Sequence, residues 1–572
     1  MGGPVRVMRL LDWRRILAYT HRWLGIAGCL LFVAWFVSGI VMMYVRMPVL
    51  EDEERLARAP ALDLSRATLS PADAAAAATG ADLRADRVQV GMIEDRPVYR
   101  FGGGRNQAIV FADTGALFRG LRPDQALAAV RRYAPDHQGA IKHERLMTGS
   151  DQWTLQAGAL MPLHRFALDD DAGTRVYVSE RTGDVVLRTT RRERVWAYLG
   201  PVIHWIYFTP LRRNGPLWSE VVIWSSVAGC AMCLSGLVWG LWRFSPTSRF
   251  RLKRAMSHSP YAGFMKWHHY AGLLFGVAAF TWIYSGLLSM GPFNWFATPG
   301  LTRAQREAST GGPLRLEGVT LDRLRGAVAV LDASFAPKEL ELLQFRGEPF
   351  WAASRAPSAD EAVQWMEAGL WPRARRPVLE RRYVSALRPD EGTFTRFDDE
   401  AMEEIARAAM PGVPVEDAEW LQAYDGHYYD LRGARALPVL RVRYADPQGT
   451  WLYLDPARGG IVQKSERVSR LQRWLYQGLH SLDFPFLYFR RPLWDLVVIV
   501  LSIGGTVLSV TTVMPAVRRL RRHARRLAAD DRRVDGEAAR GGRGDRGDGR
   551  QLGRQPIASR RDVDAALPGS RR

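Results

Sequence analysis

The chain has 572 residues, 47% of them hydrophobic, and its mean hydropathy is -0.17. One compact core does not accommodate this length, and the hydropathy fits neither a wholly soluble enzyme nor a channel built almost entirely of helices. The formal net charge of +20 invites a nucleic-acid-binding interpretation. Much of the basic excess, however, lies in one internal loop and the C-terminal tail, where contact with anionic lipid explains it better, so we expect no nucleic-acid partner.

Four apolar windows are long enough to cross a lipid bilayer, which takes about 20 apolar residues in a helix. We predict spans at residues 23–45, 217–243, 267–290 and 492–516. Basic residues flank the first and fourth windows and fill the loop between the second and third. By the positive-inside rule, the segments predicted to be cytoplasmic are the N-terminal tail 1–22, the loop 244–266 and a basic, disordered tail 517–572.

Two long segments, residues 46–192 and 291–465, are predicted to fold outside the membrane as α+β domains. In the first, an alanine-rich helix begins near Ser70 and alternating strands follow it. Hairpins are predicted at residues 110–118, 176–186 and 452–462. The stretch 353–382 fits no such unit. All three cysteines fall within spans, so these domains must fold without disulfides.

The chain repeats itself. HRWLGIAGCLLFVAWFVSG, from His21, aligns without a gap with HHYAGLLFGVAAFTWIYSG, from His268. The alignment superposes four further pairs: Gly25 with Gly272, Trp35 with Trp282, Ser38 with Ser285, and Gly39 with Gly286. A second repeat joins HWIYFTPLRRNGPLW, from His204, to HSLDFPFLYFRRPLW, from His480, within predicted interfacial segments 193–216 and 466–491. Both halves begin inside, so we interpret this as a parallel duplication of a two-helix unit.

Duplication turns four histidines into two pairs at equal membrane depth. His21 and His268 lie at the inner ends of the first and third spans, and His204 and His480 lie just before the second and fourth. Two imidazoles facing each other across a helical bundle bind b-type haem with both axial positions filled. A single histidine at a helix end is more often an interfacial or capping residue, but four in symmetric register favour ligands. His269 is the alternative to His268.

Other candidate sites are weaker. His143, His164 and His427 are scattered in the outer segments and are interpreted as surface or packing residues. No nucleotide-binding loop, zinc-protease motif or nucleophile motif has a supporting context, so reactive chemistry must come from a cofactor.

Four features of the sequence carry a resemblance to a known family: HRWLG at the first span, WHHYAG at the third, LH before the fourth, and small α/β units outside the membrane. Through these features the chain resembles the PepSY-associated transmembrane proteins over roughly residues 17–522. Members of that family are described as iron-regulated or siderophore-associated, or as inner-membrane reductases with two haems. The resemblance implies a bacterial inner-membrane protein with periplasmic PepSY-like domains. It also implies electron transfer across the membrane through two haem b groups at His21, His268, His204 and His480.

The leading hypothesis is therefore a haem-dependent transmembrane reductase. Quinol or a cytoplasmic reductase would donate electrons, because the chain contains no recognisable flavin or nicotinamide domain, and a periplasmic ferric chelate or another small molecule would accept them. One alternative is a non-catalytic membrane anchor that presents PepSY-like domains to a partner. Another is an iron-complex transporter, against which the uncharged interiors of the spans argue.

Overall fold

The computed structural model describes residues 13–77, 86–103, 107–252, 255–331, 335–355, 379–430 and 435–541. The chain divides into two units, Met1–Val513 and Met514–Arg572. The first unit contains both α+β regions and every histidine predicted to bind a cofactor. In the second unit, the described residues continue the last long helix.

In the described part of the chain, four helices are long and apolar enough to cross a membrane. We call them spans 1 to 4: Trp13–Met42, Gly215–Arg243, Phe264–Ser289 and, within the helix Leu493–Gly541, Leu493–Arg526. The four predicted spans are thus confirmed as helices, and the protein is a multi-pass membrane protein.

Two predicted helix boundaries were wrong. Span 1 begins at Trp13 rather than residue 23, so His21 lies inside the helix and not in a tail. The last helix continues to Gly541, although disorder was predicted from residue 517. In both cases arginine, leucine and alanine, which are strong helix formers, extend the helix beyond its apolar part. The rest of the predicted tail, 542–572, lies outside the described residues.

The spans pack through aromatic rings and small residues. Phe32 and Phe36 of span 1 form a buried cluster with Ala279 and Ile283 of span 3. Gly229 of span 2 lies against this cluster, where a Cβ atom would come within 3.0 Å of both Phe32 and Ile283. Such small residues let membrane helices approach closely.

The described residues form seventeen strands, which are numbered in chain order. They are β1 Val88–Ile93, β2 Arg96–Phe101, β3 Ala108–Phe111, β4 Ile141–Met147, β5 Leu163–Leu168, β6 Arg175–Ser179, β7 Val185–Thr189, β8 Phe250–Leu252, β9 Ala255–Ser257, β10 Leu340–Phe345, β11 Glu348–Ser354, β12 Arg381–Ser385, β13 Thr393–Phe394, β14 Val415–Leu421, β15 Val439–Tyr444, β16 Trp451–Asp455 and β17 Gly460–Ser465. The predicted hairpins at 176–186 and 452–462 are the pairs β6–β7 and β16–β17, and a Val110–Leu117 bridge closes the one at 110–118.

Shorter helices accompany these strands. Those of the α+β regions are Asp52–Arg58, Pro71–Ala77, Pro123–Tyr133, Arg303–Thr310, Leu321–Val330 and Asp399–Ala409, with single turns at Gly158–Leu160, Pro292–Asn294 and Pro389–Glu391. Those before spans 2 and 4 are Arg191–Ala197, Tyr198–Val202, Thr209–Arg212, Arg467–Arg473, Trp474–Gly478, Leu479–Ser481 and Pro485–Tyr488. The predicted interfacial segments are therefore helical in part.

The two α+β regions share one sheet. Its strand order is β13-β12-β11-β10-β1-β2-β3, and β1 of the first region pairs antiparallel with β10 of the second, with Gln89 opposite Glu341. We had predicted two separate domains. The structure differs because β1 and β10 would otherwise both be exposed edge strands, which pair readily with another strand. Sharing a sheet places both regions on the same side of the membrane.

Each region also has its own four-stranded antiparallel sheet, β4-β5-β6-β7 in the first and β14-β15-β16-β17 in the second. One amphipathic helix packs on each sheet, Pro123–Tyr133 and Asp399–Ala409 respectively. The last strand of each sheet leads into the helical segment that precedes span 2 or span 4. Residues 356–378, most of the stretch whose fold was left open, lie outside the described part.

Candidate functional site

The structure brings His204 and His480 together. Their ring centroids are 6.1 Å apart, and the ring planes are inclined at 69°. Each histidine follows a single π-helical turn, Tyr198–Val202 or Trp474–Gly478, at the same sequence spacing. Such turns occur frequently at functional sites.

The backbone after each of these histidines is also equivalent. Ile206 and Leu482, two residues beyond, have positive φ angles of 54° and 51°. This conformation is rare for a side chain as bulky as either and costs about 1–3 kcal/mol, so it persists only where the surrounding structure enforces it. The chain therefore turns sharply after each histidine at the same place.

Each histidine of this pair is held by a neighbouring span. His204 Nδ1 lies 3.2 Å from the carbonyl oxygen of Trp35 and 3.2 Å from Ser38 Oγ, both in span 1. The corresponding contacts of His480 in span 3 are with the carbonyl oxygen of Trp282 at 3.2 Å and with Ser285 Oγ at 3.1 Å. These serines and tryptophans are the residues that the sequence repeat superposes.

His21 and His268 form a second pair, with ring centroids 6.0 Å apart and planes inclined at 35°. His21 Nδ1 donates to the carbonyl oxygen of Met232 in span 2 at 2.9 Å. His268 Nδ1 donates to the carbonyl oxygen of Leu508 in span 4 at 3.1 Å. Again the two acceptors occupy equivalent positions in the two halves of the chain.

These contacts fix the tautomer of all four rings. A carbonyl oxygen only accepts hydrogen bonds, so Nδ1 carries the proton and Nε2 of a neutral ring has a lone pair. Within the described residues, Nε2 of His21, His204, His268 and His480 has no hydrogen-bond partner. A ligating histidine in metalloproteins is oriented in this same way by its second nitrogen.

The ring separations match a shared metal ion. Imidazole nitrogens bind a metal at about 2.0–2.1 Å, so two rings on opposite sides of one ion have centroids about 6 Å apart. The observed separations are 6.0 Å and 6.1 Å. The donor set therefore fits two bis-histidine iron sites, one for each pair.

His269 differs from its neighbour His268. It is buried, Nδ1 lies 2.8 Å from Ser259 Oγ, and Nε2 lies 2.8 Å from the carbonyl oxygen of Gly240. Both ring nitrogens are thus engaged by the protein. The geometry places His268, not His269, opposite His21.

Glycines of the spans let the rings approach the helix backbones closely. A Cβ atom on Gly39 would lie 3.5 Å from Cε1 of His204, and one on Gly286 would lie 3.5 Å from Cε1 of His480. Gly236 of span 2 approaches His21 even more closely. A flat ligand needs such side-chain-free surfaces on each side of the histidines.

The two pairs lie at opposite ends of the bundle. His21 is separated from Ser38, which contacts His204, by almost five helical turns, or about 25 Å at 1.5 Å per residue. An aromatic cluster occupies the space between them. Phe32 packs against Trp35 with centroids 5.6 Å apart, and Phe36 packs against Trp282 at 6.0 Å.

A cavity of about 2010 Å³ opens at the His204–His480 pair. Its deep end is lined by both histidines, Gly39 and Gly286, and it extends outward to Tyr429 and other residues of the second α+β region. Typical ligand pockets measure about 300–1,000 Å³. This cavity therefore has room for more than one small group.

Burial keeps this pair neutral. Desolvation, assisted by the nearby His480 ring, lowers the pKa of His204 to about 3, and desolvation likewise lowers the pKa of His480. Both imidazoles therefore retain a lone pair at neutral pH.

Two of the histidines in the α+β regions lie together, although all three still pack against other side chains as expected. His143 and His164 are not scattered, because His164 Nδ1 lies 3.2 Å from His143 Nε2 on neighbouring strands β4 and β5. His427 lies at the cavity, 5.4 Å from the Trp451 ring. The described residues contain no cluster of three or more histidine, cysteine or acidic side chains able to bind a metal ion.

Sequence reasoning missed the cavity residues Arg473 and Gln477, which precede His480 in the same helical segment. The repeat could not reveal them, since the first half has Ala197 and Pro201 at the equivalent positions. Helical spacing from His480 was the available signal.

Comparison with models of protein families assigns the chain to one family. The model of the PepSY-associated TM region matches residues 18–366, which include His21, His204 and His268. This chain belongs to the PepSY-associated transmembrane family. Comparison with curated proteins finds no match.

Proposed function

We propose that this PepSY-associated protein is a membrane oxidoreductase that binds two haem b groups and passes electrons across the membrane to an acceptor. The observation that carries the proposal is the duplicated geometry of the histidines. Two pairs, each with free Nε2 atoms and ring centroids 6.0 Å or 6.1 Å apart, lie at opposite ends of one bundle.

The chain would bind the haem iron through Nε2 of His21 and His268 at one end, and of His204 and His480 at the other. Haem b with two histidine ligands supplies one-electron transfer without an open position for oxygen. The backbone carbonyls that accept from Nδ1 orient each ring and increase its basicity as a ligand. Gly39 and Gly286 let His204 and His480 pack closely against spans 1 and 3.

Apolar and aromatic residues lie between the two pairs. Phe32, Phe36 and Ile283 are buried in the middle of the bundle, and Trp35 and Trp282 pack against them. The cavity beside His204 and His480 reaches these residues.

The acceptor would enter through the cavity beside His204 and His480, which reaches the α+β regions. We propose a ferric siderophore or another metal complex as the acceptor, by analogy with the activities described for the family. The electron donor would be quinol or a cytoplasmic reductase. The positive-inside rule supports cytoplasmic termini, periplasmic α+β regions and location in a bacterial inner membrane.

Proteoliposomes test this function directly. Ferric citrate and an iron(II)-specific dye are trapped inside, and dithionite, which does not cross the bilayer, is added outside. We expect the protein to transfer electrons inward, so that trapped iron is reduced far faster than in protein-free vesicles. His21→Ala should abolish the reaction, whereas His269→Ala, the matched control, should retain it.

Other outcomes would identify other functions. A rate no faster than that of empty vesicles would contradict the proposal and favour a membrane anchor for the α+β regions. Uptake of external ferric citrate without reductant would instead indicate a transporter.

A further inference from the structure

One wall of the cavity carries a cation that the histidine sites do not use. Arg473, Gln477 and His480 follow one another at intervals of four and three residues, which places them on one face of the helical segment. All three line the cavity. The arginine and the glutamine therefore border the same cavity as the proposed iron ligand.

Arg473 is buried, with 9% of its surface exposed. Its guanidinium lies between two aromatic rings, 4.8 Å from the Tyr429 centroid and 4.1 Å from the Trp474 centroid. This arrangement holds the planar group rigidly. Aromatic faces stabilise the charge but leave the edge of the guanidinium available for hydrogen bonds.

The hydrogen bonds of Arg473 are incomplete. Nη2 donates to the carbonyl oxygen of Asp483 at 2.7 Å, but Nε and Nη1 have no partner among the described residues. The Asp483 carboxylate is no substitute, because its Oδ1 is 3.9 Å from Nη2 and its Oδ2 accepts from Tyr429. Buried donors without partners are rare and costly in proteins.

Gln477 completes the polar group, since its buried Oε1 also has no hydrogen-bond partner in the described part of the chain. The amide can present either its oxygen or its nitrogen toward the cavity. A buried cation with unpartnered donors, next to an amide that lines the same cavity, is suited to a carboxylate, with which arginine makes strong charge-assisted hydrogen bonds.

We propose that Arg473 and Gln477 bind a carboxylate group in the cavity beside His480. The proposal rests on the proposed function for its choice of ligand, which is either a propionate of the haem at His204 and His480 or a carboxylate of an anionic metal chelate. The equivalent positions in the first half are Ala197 and Pro201. The carboxylate site therefore lies only on the His480 side of the His204–His480 pair. It would fix which way round the ligand sits between two otherwise similar histidines.

The test uses full-length protein carrying His268→Ala, so that haem signals come from the His204–His480 pair alone. Arg473→Gln and Gln477→Leu remove the site, and Arg473→Lys keeps the charge if the folding of Arg473→Gln is impaired. Arg470→Gln is the matched control, because Arg470 lies one turn earlier and packs on Trp451. The measurements are haem transfer to apomyoglobin, the haem midpoint potential, and calorimetric binding of citrate and ferric citrate.

A propionate ligand predicts that Arg473→Gln releases haem about tenfold faster and lowers its midpoint potential, with citrate binding unchanged. A chelate ligand predicts an unchanged rate of haem release and about tenfold weaker binding of ferric citrate. If Arg473→Gln and Gln477→Leu match Arg470→Gln in all measurements, the carboxylate site is refuted. Citrate calorimetry needs no haem, so failure of the proposed function would be seen separately, as a lack of pigment.

Discussion

Each paired histidine donates its Nδ1 proton to a backbone carbonyl of another helix, and this contact determines what the ring can do. His21 uses Met232 and His268 uses Leu508, which leaves Nε2 of both rings without a hydrogen-bond partner among the described residues. His269 has a hydrogen-bond partner for both nitrogens and so has no lone pair to offer a metal ion.

Exchanging the two adjacent histidines for alanine tests this difference. His268→Ala should remove one of two haems, because one axial ligand is lost. His269→Ala should retain both haems but lower the free energy of unfolding by about 2 kcal/mol, since Ser259 and Gly240 lose their buried partner. Haem-to-protein ratios and thermal unfolding of the purified variants provide the measurements. Equal haem loss in both variants would contradict the assignment.

Gly39 tests the space beside His204. Gly39→Ala should be tolerated, since a Cβ atom would lie at 3.5 Å from the ring, an ordinary contact distance. Gly39→Leu extends further into the same space and should displace the haem of the His204–His480 pair, leaving one haem per chain. The absorption spectra of both variants measure the number of haems. Two haems per chain in Gly39→Leu would show that no haem lies beside Gly39.

The histidines and their supporting residues were predictable because the sequence repeat superposes them. Trp35, Ser38 and Gly39 align with Trp282, Ser285 and Gly286, and the structure gives each set the same contacts. Met232 and Leu508 were not predictable, because they act through backbone carbonyls that carry no sequence signal.

At the scale of elements, the shared sheet is reinforced by ion pairs between its halves. Arg55, in the helix Asp52–Arg58, donates from Nη1 and Nη2 to the two carboxylate oxygens of Glu339 at 2.8 Å and 2.7 Å. Burial alone would raise the pKa of Glu339, but the hydrogen bonds and charge of Arg55 hold it below its ordinary value. A second pair, Arg87 with Glu341, is more exposed.

This depressed pKa predicts a pH dependence. A carboxyl group whose pKa is lowered by folding contributes stability above its ordinary pKa of 4.5, and the contribution is lost as pH falls through the folded-state pKa. Glu339→Gln should lower the free energy of unfolding by about 2 kcal/mol at pH 7 and by less in acid. Urea unfolding at several pH values measures this.

Glu341→Gln is the matched control, because an exposed pair contributes only about 0.5 kcal/mol. If the two variants were equally stable at pH 7, the Arg55–Glu339 pair would not join the two halves of the sheet in solution.

The strands themselves were predictable, but their partners were not. Alternating residues indicated β1 to β3 and the hairpins β6–β7 and β16–β17, because turn chemistry and alternation are local. The pairing of β1 with β10 joins residues far apart in sequence, and its edge-to-edge contact follows only from the assembled fold. The C-terminal part of the helix Leu493–Gly541 was not predicted. The apolar window shows where the membrane span ends, but the arginine, leucine and alanine residues that follow still favour a helix.

At the scale of the whole molecule, one histidine pair lies near each end of the bundle, and both α+β regions lie on one side. The cavity beside the His204–His480 pair reaches these regions. The proposed electron transfer would run from the His21–His268 end to the His204–His480 end.

Cysteine labelling tests this topology. In a variant whose native cysteines, Cys29, Cys230 and Cys233, are replaced by alanine, a new cysteine is placed at Arg122 or Arg303, whose side chains are 70% and 85% exposed. Both should react with a membrane-impermeant maleimide applied to the periplasmic side. Met256→Cys, on a residue 57% exposed in the loop between spans 2 and 3, should react only after the membrane is opened. If the cysteines introduced at Arg122 and Arg303 were labelled from opposite sides of the membrane, the shared sheet would be contradicted.

The haem-to-chain ratio of the detergent-purified protein tests the central claim most directly. A pyridine haemochrome assay with the reduced-minus-oxidised spectrum should give two low-spin b-type haems per chain, and one each for His21→Ala and His204→Ala. A colourless protein from haem-replete cells, or loss of both haems in either single variant, would contradict two independent bis-histidine sites.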